Sequence, residues 1–115
     1  MSRDVRVYLD DMLEAIVRVR EYTVGYDKAR LAEDRRTLDA IIRNLEILGE
    51  AAKNVPDAVR SLAPGIPWRR IAGLRDVLIH GYFHIKLDVI WEITQDHLDP
   101  LDSGLRQLLA GCQQK

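Results

Sequence analysis

The sequence has little of what several classes of protein require. Its 115 residues include one cysteine, Cys112, which excludes an internal disulfide and a zinc site built from several cysteines. No apolar run approaches the roughly 20 residues that a membrane-spanning helix needs. The first residues alternate in charge and lack the apolar core of a signal peptide, so we expect a cytoplasmic protein.

The chain also lacks an excess of charge of either sign. Its formal net charge is −1 at pH 7, with 17 Lys and Arg residues against 18 Asp and Glu residues. Proteins that bind nucleic acid through their overall charge are usually basic. Any contact with RNA must therefore depend on a local group of cations, and the acidic part of the surface could serve a protein partner.

Helical periodicity is what the sequence does contain. Its length predicts one domain, residues 1–115, and 47% hydrophobic with 30% charged residues is an ordinary balance for a soluble domain. Apolar residues recur at steps of three and four, and no segment alternates as a strand would. The pattern predicts an all-α, up-and-down bundle of four long helices with short extra helices. The two clearest stripes are Val5, Leu9, Met12, Ile16, Val19 and Leu38, Ile41, Leu45, Leu48, Ala52.

Proline and glycine mark the expected boundaries and one expected close contact. The proline-rich residues 54–67 predict a connector with one short helix at Asp57 to Leu62, followed by a helix that begins at Pro67-Trp68. Asp99-Pro100 predicts the start of the last helix, with Asp99 as its N-cap. Gly49 lies inside the second long helix, where glycine is unfavourable, so we expect a neighbouring helix to approach closely there.

The segment from Arg75 to Tyr82 combines a guanidinium, an imidazole and a phenol. Arg75 can hold a phosphate through several donors, and His80 can move a proton near neutral pH. Together they suffice in principle to cut an RNA phosphodiester without a metal, with His80 as acid or base and Arg75 neutralising charge on the phosphate. Asp76 could orient a histidine or an opposing arginine. Further phosphate contacts could come from Arg69 and Arg70.

The spacing within this segment leaves alternatives open. Five residues turn a helix by about 140°, so Arg75 and His80 do not point at one spot on an ideal helix. Either the helix loosens near Gly81, or a two-fold dimer completes the site with a second chain. In the plainer alternative, Arg75 pairs with Asp76 or Asp88 on the surface while His80 caps a helix end.

Two other pairs of side chains invite a functional interpretation. His80 and His84 are spaced to share a helix face, but a metal site would need the helix to continue through Gly81, and no third ligand is evident. Glu46 and Glu50 could form an acid pair. Solvated carboxylates with Arg43 and Lys53 nearby are the simpler interpretation.

Several motifs, in order, resemble the HepT-like branch of the HEPN superfamily. They are Leu45-Glu46-Ile47-Leu48-Gly49-Glu50-Ala51-Ala52, then Ile66-Pro67-Trp68, then Arg75 with four residues to His80 followed by Tyr82 and Phe83, then Val89-Ile90-Trp91. The resemblance spans about Val5 to Leu109. It implies a helical bundle that forms a homodimer or a higher even oligomer. It also implies an endoribonuclease toxin, without metal or cofactor, whose catalytic Arg75 and His80 meet at the dimer interface.

The resemblance also implies a protein partner. Members of this family pair with a minimal nucleotidyltransferase antitoxin, which attaches adenylyl groups to a tyrosine that matches Tyr82 here. Each adenylyl group would add negative charge and bulk beside Arg75 and so repel RNA. The implied partners are thus RNA and the antitoxin, with no DNA and no membrane.

The chain departs from the family pattern at two positions, and a second function stays open. Asp76 stands where Asn is frequent, and its charge would weaken the attraction of phosphate near Arg75. Gly81 stands where an acidic residue is common between the histidine and the tyrosine. The alternative function is a catalytically silent helical partner that docks a nucleotidyltransferase and binds nucleotide phosphate through Arg75. A bundle dimer without any ligand is the third possibility.

Overall fold

The structure, a computed structural model, describes residues 4–80 and 87–113, with the backbone alone for His80, Cys112 and Gln113. Every regular element in these ranges is a helix and none is a strand, which confirms the predicted all-α class. The elements are α1 (Val5–Thr23), α2 (Lys28–Glu33), α3 (Arg35–Lys53), α4 (Asp57–Arg60), α5 (Trp68–His80), α6 (Leu87–Glu92), a π-helix (Ile93–His97) and α7 (Leu98–Gln113).

The core lies between the four long helices α1, α3, α5 and α7. Helix α3 packs against both α1 and α5, and α1 also contacts α7. The two predicted stripes face this core, since nearly all of their members are buried. Burial of each large aliphatic side chain stabilises the fold by about 1.5–3 kcal/mol, so these stripes supply much of the driving force for folding. The completely buried side chains of the whole core include Leu9, Met12, Ile16, Ile41, Leu45 and Leu105.

Aspartate side chains begin three of the helices. Asp4, Asp27 and Asp34 accept hydrogen bonds from backbone N–H groups in the first turns of α1, α2 and α3. At α3 the Tyr26 hydroxyl also donates to Asp34, at 2.5 Å. This hydroxyl, together with the Thr37 backbone and side-chain donors, lowers the pKa of Asp34 to about 2. Helical periodicity does not predict the short helix α2. The sequence feature that indicates its start is Asp27, an N-cap residue four positions before the buried Leu31.

The predicted break before the last helix is wrong. Helix α6 continues through the π-helix into α7, which begins at Leu98, so Asp99 lies inside the helix rather than capping it. A proline ring clashes with the carbonyl four residues earlier in a regular α-helix. The wider π-turn immediately before Pro100 relieves that clash, and the chain passes the proline without ending the helix.

A network of charged side chains joins α1 to α7. Asp102 of α7 is nearly buried, with 10% of its side chain exposed. It accepts hydrogen bonds from Arg20 of α1 at 2.9 Å and from Arg106, one turn later, at 2.6 Å. Arg20 also pairs with Asp99, so the residue expected to cap α7 instead ties it to α1.

Within the described ranges, no helix combines the length and the apolar content that crossing a bilayer would require.

Candidate active site

Helix α5, which carries the Arg75 to His80 segment, is anchored at its first residue. Trp68 is buried, and its indole N–H donates to the Ala63 carbonyl at 3.1 Å. Ile71 and Leu78 are buried on the same helix. Arg75 is four residues after Ile71 and three before Leu78, so it lies on the side of α5 that faces the bundle.

Gly49 brings α5 close to α3 at this point, as the sequence predicts. A Cβ atom on Gly49 would lie 2.9 Å from both the Arg75 nitrogen and the Ile71 carbonyl oxygen. Cβ atoms do not approach backbone atoms this closely, so only glycine allows the two helices to pack at this distance. The expected close approach at Gly49 is therefore confirmed, and its partner is the backbone that carries Arg75.

Arg75 forms ion pairs with two carboxylates. Its Nε lies 3.0 Å from Oε2 of Glu50 on α3, and its Nη1 lies 3.6 Å from Oδ1 of Asp76. Glu50 is therefore not simply a solvated acid beside Arg43 and Lys53, which corrects the simpler interpretation of the sequence. Asp88, the other partner considered for Arg75, pairs with Lys28 at 2.7 Å.

Arg75 remains accessible to a ligand despite these pairs, with 41% of its side chain exposed. It lines a depression of about 180 Å³ between α1, α3 and α5. Two of the charged side chains around the depression are cations and three are carboxylates, so its field is mixed rather than strongly positive. Its lining includes Tyr8, Asp11, Arg43, Glu46, Glu50 and Asn54.

The other two cations proposed for phosphate contact lie elsewhere on α5. Arg69 and Arg70 are both exposed. Arg70 lines a separate, mostly apolar groove of about 390 Å³ together with Leu74, Val89 and His97. Arg70 and Arg75 are about 140° apart around the helix, so one chain does not bring them to the same phosphate.

The predicted acid–base and modification residues lie at the limit of what the structure describes. His80 is the last residue of α5, and its side chain falls outside the described atoms. Gly81, Tyr82 and His84 also lie outside the described residues, so the predictions made for them stay predictions. Helix α5 extends from Trp68 to His80, so the backbone positions of Arg75 and His80 lie about 140° apart around its axis.

Three large apolar side chains are exposed on α5 and α6. Val77 is 61% exposed, Ile79 is also exposed, and Val89 of α6 is 50% exposed.

No group of three metal-binding side chains lies close enough to hold an ion among the residues for which side chains are described.

Comparison with known proteins identifies similar chains. Residues 12–108 match the model of the ribonuclease HepT-like family. A protein of Thermococcus cleftensis named "probable ribonuclease HepT" is 39% identical over 94% of this chain and 98% of its own length. A protein of Methanocaldococcus jannaschii named "putative RNase" is 41% identical over 81% of this chain and 77% of its own length. No solved structure is significantly similar to the chain.

Proposed function

The chain belongs to the ribonuclease HepT-like family, and we propose that it is a metal-independent endoribonuclease whose catalytic residues are Arg75 and His80. The prediction of a ribonuclease is confirmed at the level of the family, by the matched residues 12–108 and by the names of the relatives. The observation that carries the proposed roles is that Arg75 is half-exposed on α5, five residues before His80 at the helix end.

In the proposed reaction, His80 takes the proton of a ribose 2′-OH, and the 2′-oxygen attacks the adjacent phosphorus. A bond forms between the 2′-oxygen and phosphorus while the bond to the leaving 5′-oxygen breaks, and that oxygen takes up a proton. Arg75 stabilises the negative charge that develops on the phosphate oxygens. Asp76, whose Oδ1 lies 3.6 Å from Arg75 Nη1, orients a histidine or the opposing arginine. Arg69 and Arg70 bind flanking phosphates rather than the one that is cut.

The active unit proposed is a homodimer. Because the backbone positions of Arg75 and His80 lie about 140° apart around one helix, we expect a second chain to be needed to bring both groups to one phosphate. A two-fold axis near the end of α5 would place Arg75 of one chain beside His80 of the partner subunit. The exposed Val77 and Val89 supply apolar surface that such an interface would cover.

The biological role proposed is that of a toxin controlled by a nucleotidyltransferase. Adenylylation of Tyr82 would add a negatively charged group two residues after His80, where it would repel the RNA backbone. Incubation with a cognate nucleotidyltransferase and ATP should then add mass in adenylyl units to the wild type and none to Tyr82→Phe. An unchanged mass in the wild type would remove this regulatory proposal and leave the nuclease proposal standing.

Cleavage of RNA in the presence of EDTA tests the nuclease proposal. The protein, purified without its partner, should cut RNA, and Arg75→Ala or His80→Ala should abolish cutting while the thermal melt changes little. Arg36→Ala is the matched control, since Arg36 is an exposed cation on α3 about 21 Å along the helix from Glu50. Cleavage that survives both active-site changes would refute the proposed roles.

The second candidate, a silent partner of a nucleotidyltransferase, is supported by the carboxylates around Arg75, which weaken attraction of a polyanion. Expression of this chain without a nucleotidyltransferase partner distinguishes the two functions. Slowed growth supports the toxin, and unchanged growth together with nucleotide binding that depends on Arg75 supports the silent partner.

A further inference from the structure

The ion pair between Glu50 and Arg75 joins two helices across their closest contact. Gly49 sets that contact, because the absence of a Cβ lets the α5 backbone lie against α3. Glu50 is the next residue, and its Oε2 lies 3.0 Å from Arg75 Nε. The same feature of the sequence, Gly49-Glu50, therefore places the helix that carries Arg75 and supplies a carboxylate to its guanidinium.

This pair contributes little to stability. Both side chains are about half exposed, and ion pairs in such positions are largely offset by hydration and side-chain entropy. Its main physical consequence is orientation. An arginine side chain has several rotatable bonds, and a carboxylate on a neighbouring helix that contacts Nε restricts the directions in which the two terminal nitrogens point.

We propose that Glu50 is a positioning residue that holds the Arg75 guanidinium so that its terminal nitrogens face the phosphate to be cut. This inference rests on the proposed nuclease function. It assigns to Glu50 no contact with RNA and no proton transfer. Asp76 does not replace it, because Asp76 lies on the same helix as Arg75 and its oxygen is 3.6 Å from Nη1, beyond hydrogen-bond range.

An opposite role for the same contact would be competition, in which Glu50 occupies Arg75 and must be displaced by phosphate. The two roles predict different changes in the kinetic constants. Loss of a positioning residue lowers kcat, because misorientation of a catalytic group by about 1 Å can cost up to a hundredfold in rate. Loss of a competitor raises kcat/KM. In both cases the removal of a negative charge leaves RNA binding unchanged or tighter.

The kinetic test compares Glu50→Ala, Glu50→Gln and Glu46→Gln with the wild type on one RNA oligonucleotide. Glu46 is one turn earlier on α3 and lines the same depression, so Glu46→Gln removes the same charge as a matched control. We expect Glu50→Ala to lower kcat about tenfold or more without raising KM. Glu50→Gln should retain an intermediate kcat, since its amide keeps the size of the side chain but loses the charge that pairs with Arg75, and Glu46→Gln should keep the wild-type kcat.

A second measurement follows the contact without relying on cleavage. The Arg75 Nε–Hε resonance, identified by its loss in Arg75→Lys, should shift in Glu50→Gln and stay in place in Glu46→Gln. If Glu50→Ala does not fold, Glu50→Gln decides both measurements.

The outcomes separate this inference from the proposed function. RNA cleavage that requires Arg75 and His80 but has an unchanged or raised kcat in the Glu50 variants overturns the positioning role and leaves the nuclease standing. An unmoved Arg75 resonance overturns it as well. A wild-type protein that fails to cut RNA overturns the proposed function, and the positioning role with it, whatever the resonance does.

Discussion

The backbone nitrogen of Arg75 lies 2.9 Å from the position that a Cβ of Gly49 would occupy. Replacing glycine by alanine inside a helix normally stabilises it by about 1 kcal/mol, because alanine has the higher helix propensity. At Gly49 the sign should reverse. We expect Gly49→Ala to destabilise the protein by about 1–3 kcal/mol, the usual cost of an overpacked contact, and to lower nuclease activity by displacing α5.

Gly73→Ala is the matched control for this prediction. Gly73 lies on α5, and a Cβ there would meet nothing within 4 Å. The Gly73→Ala substitution should therefore stabilise the protein by about 0.5–1 kcal/mol. Urea unfolding of the two variants measures both signs, and a stabilised Gly49→Ala would show that the helices are not in close contact.

The buried carboxylate of Asp102 should contribute more to stability than the exposed one of Asp99. Both pair with Arg20, but Asp102 also accepts from Arg106 and is only 10% exposed. We expect Asp102→Ala to cost about 1–3 kcal/mol, since it leaves the arginine donors without their buried acceptor. Asp99→Ala should cost at most about 1 kcal/mol. Thermal or urea unfolding of the two variants measures both losses of stability. Equal losses would contradict a larger contribution from the buried carboxylate.

The cap of α3 should make stability depend on pH in the acid range. The pKa of Asp34 is lowered to about 2, chiefly by the Tyr26 hydroxyl, whereas an unfolded aspartate titrates near 3.9. The ionised form is thus favoured in the folded protein. Its stabilising contribution is present above about pH 4 and is lost as pH falls through about 2.

Tyr26→Phe isolates the contribution of Asp34 to this pH dependence. Without the hydroxyl, the pKa of Asp34 should move back toward its usual value, and the acid-sensitive part of the unfolding free energy should shrink. The pKa of Asp4 is also lowered to about 2, by its hydrogen bonds with Arg6. The Tyr26→Phe substitution should leave the pKa of Asp4 unchanged. Parallel pH profiles of unfolding for wild type and Tyr26→Phe would argue against the bond between Tyr26 and Asp34.

Mixing two inactive variants tests whether the proposed site is shared between chains. In a random mixture of Arg75→Ala and His80→Ala subunits, half of the dimers contain one of each, and each of these has one intact shared site. Activity should therefore recover to roughly a quarter of the wild-type level. A site formed within one chain would show no recovery, because each subunit lacks one of the two groups.

A charge at the exposed Val77 of α5 should disrupt the proposed dimer. Val77 is 61% exposed in the single chain, so Val77→Glu should leave the fold intact. It should convert the protein to a monomer in sedimentation velocity and abolish RNA cleavage. Ala58→Glu, at an exposed position on α4, is the control and should leave the oligomer unchanged. A dimer that persists in Val77→Glu would exclude this face as the interface.

Local patterns in the sequence predict most of the fold. They fail at Asp99-Pro100, where a π-turn lets a helix continue past a proline. Asp99-Pro100 has the composition of a helix start, yet the π-turn before it lets the helix continue. Helix α2 is six residues long, too short for periodicity to reveal. Gly49 was interpreted correctly, because a glycine inside a long amphipathic helix has few explanations other than close packing.

The sequence by itself determined the all-α class, the four long helices and the residues that carry the proposed chemistry, because periodicity and motif order are properties of neighbours along the chain. Only the tertiary structure decided that Glu50 contacts Arg75 and that Arg70 lines a different groove. These relationships depend on the distance and rotation between packed helices. Side-chain packing across α3 and α5 sets that distance and rotation, and spacing along one helix does not encode them.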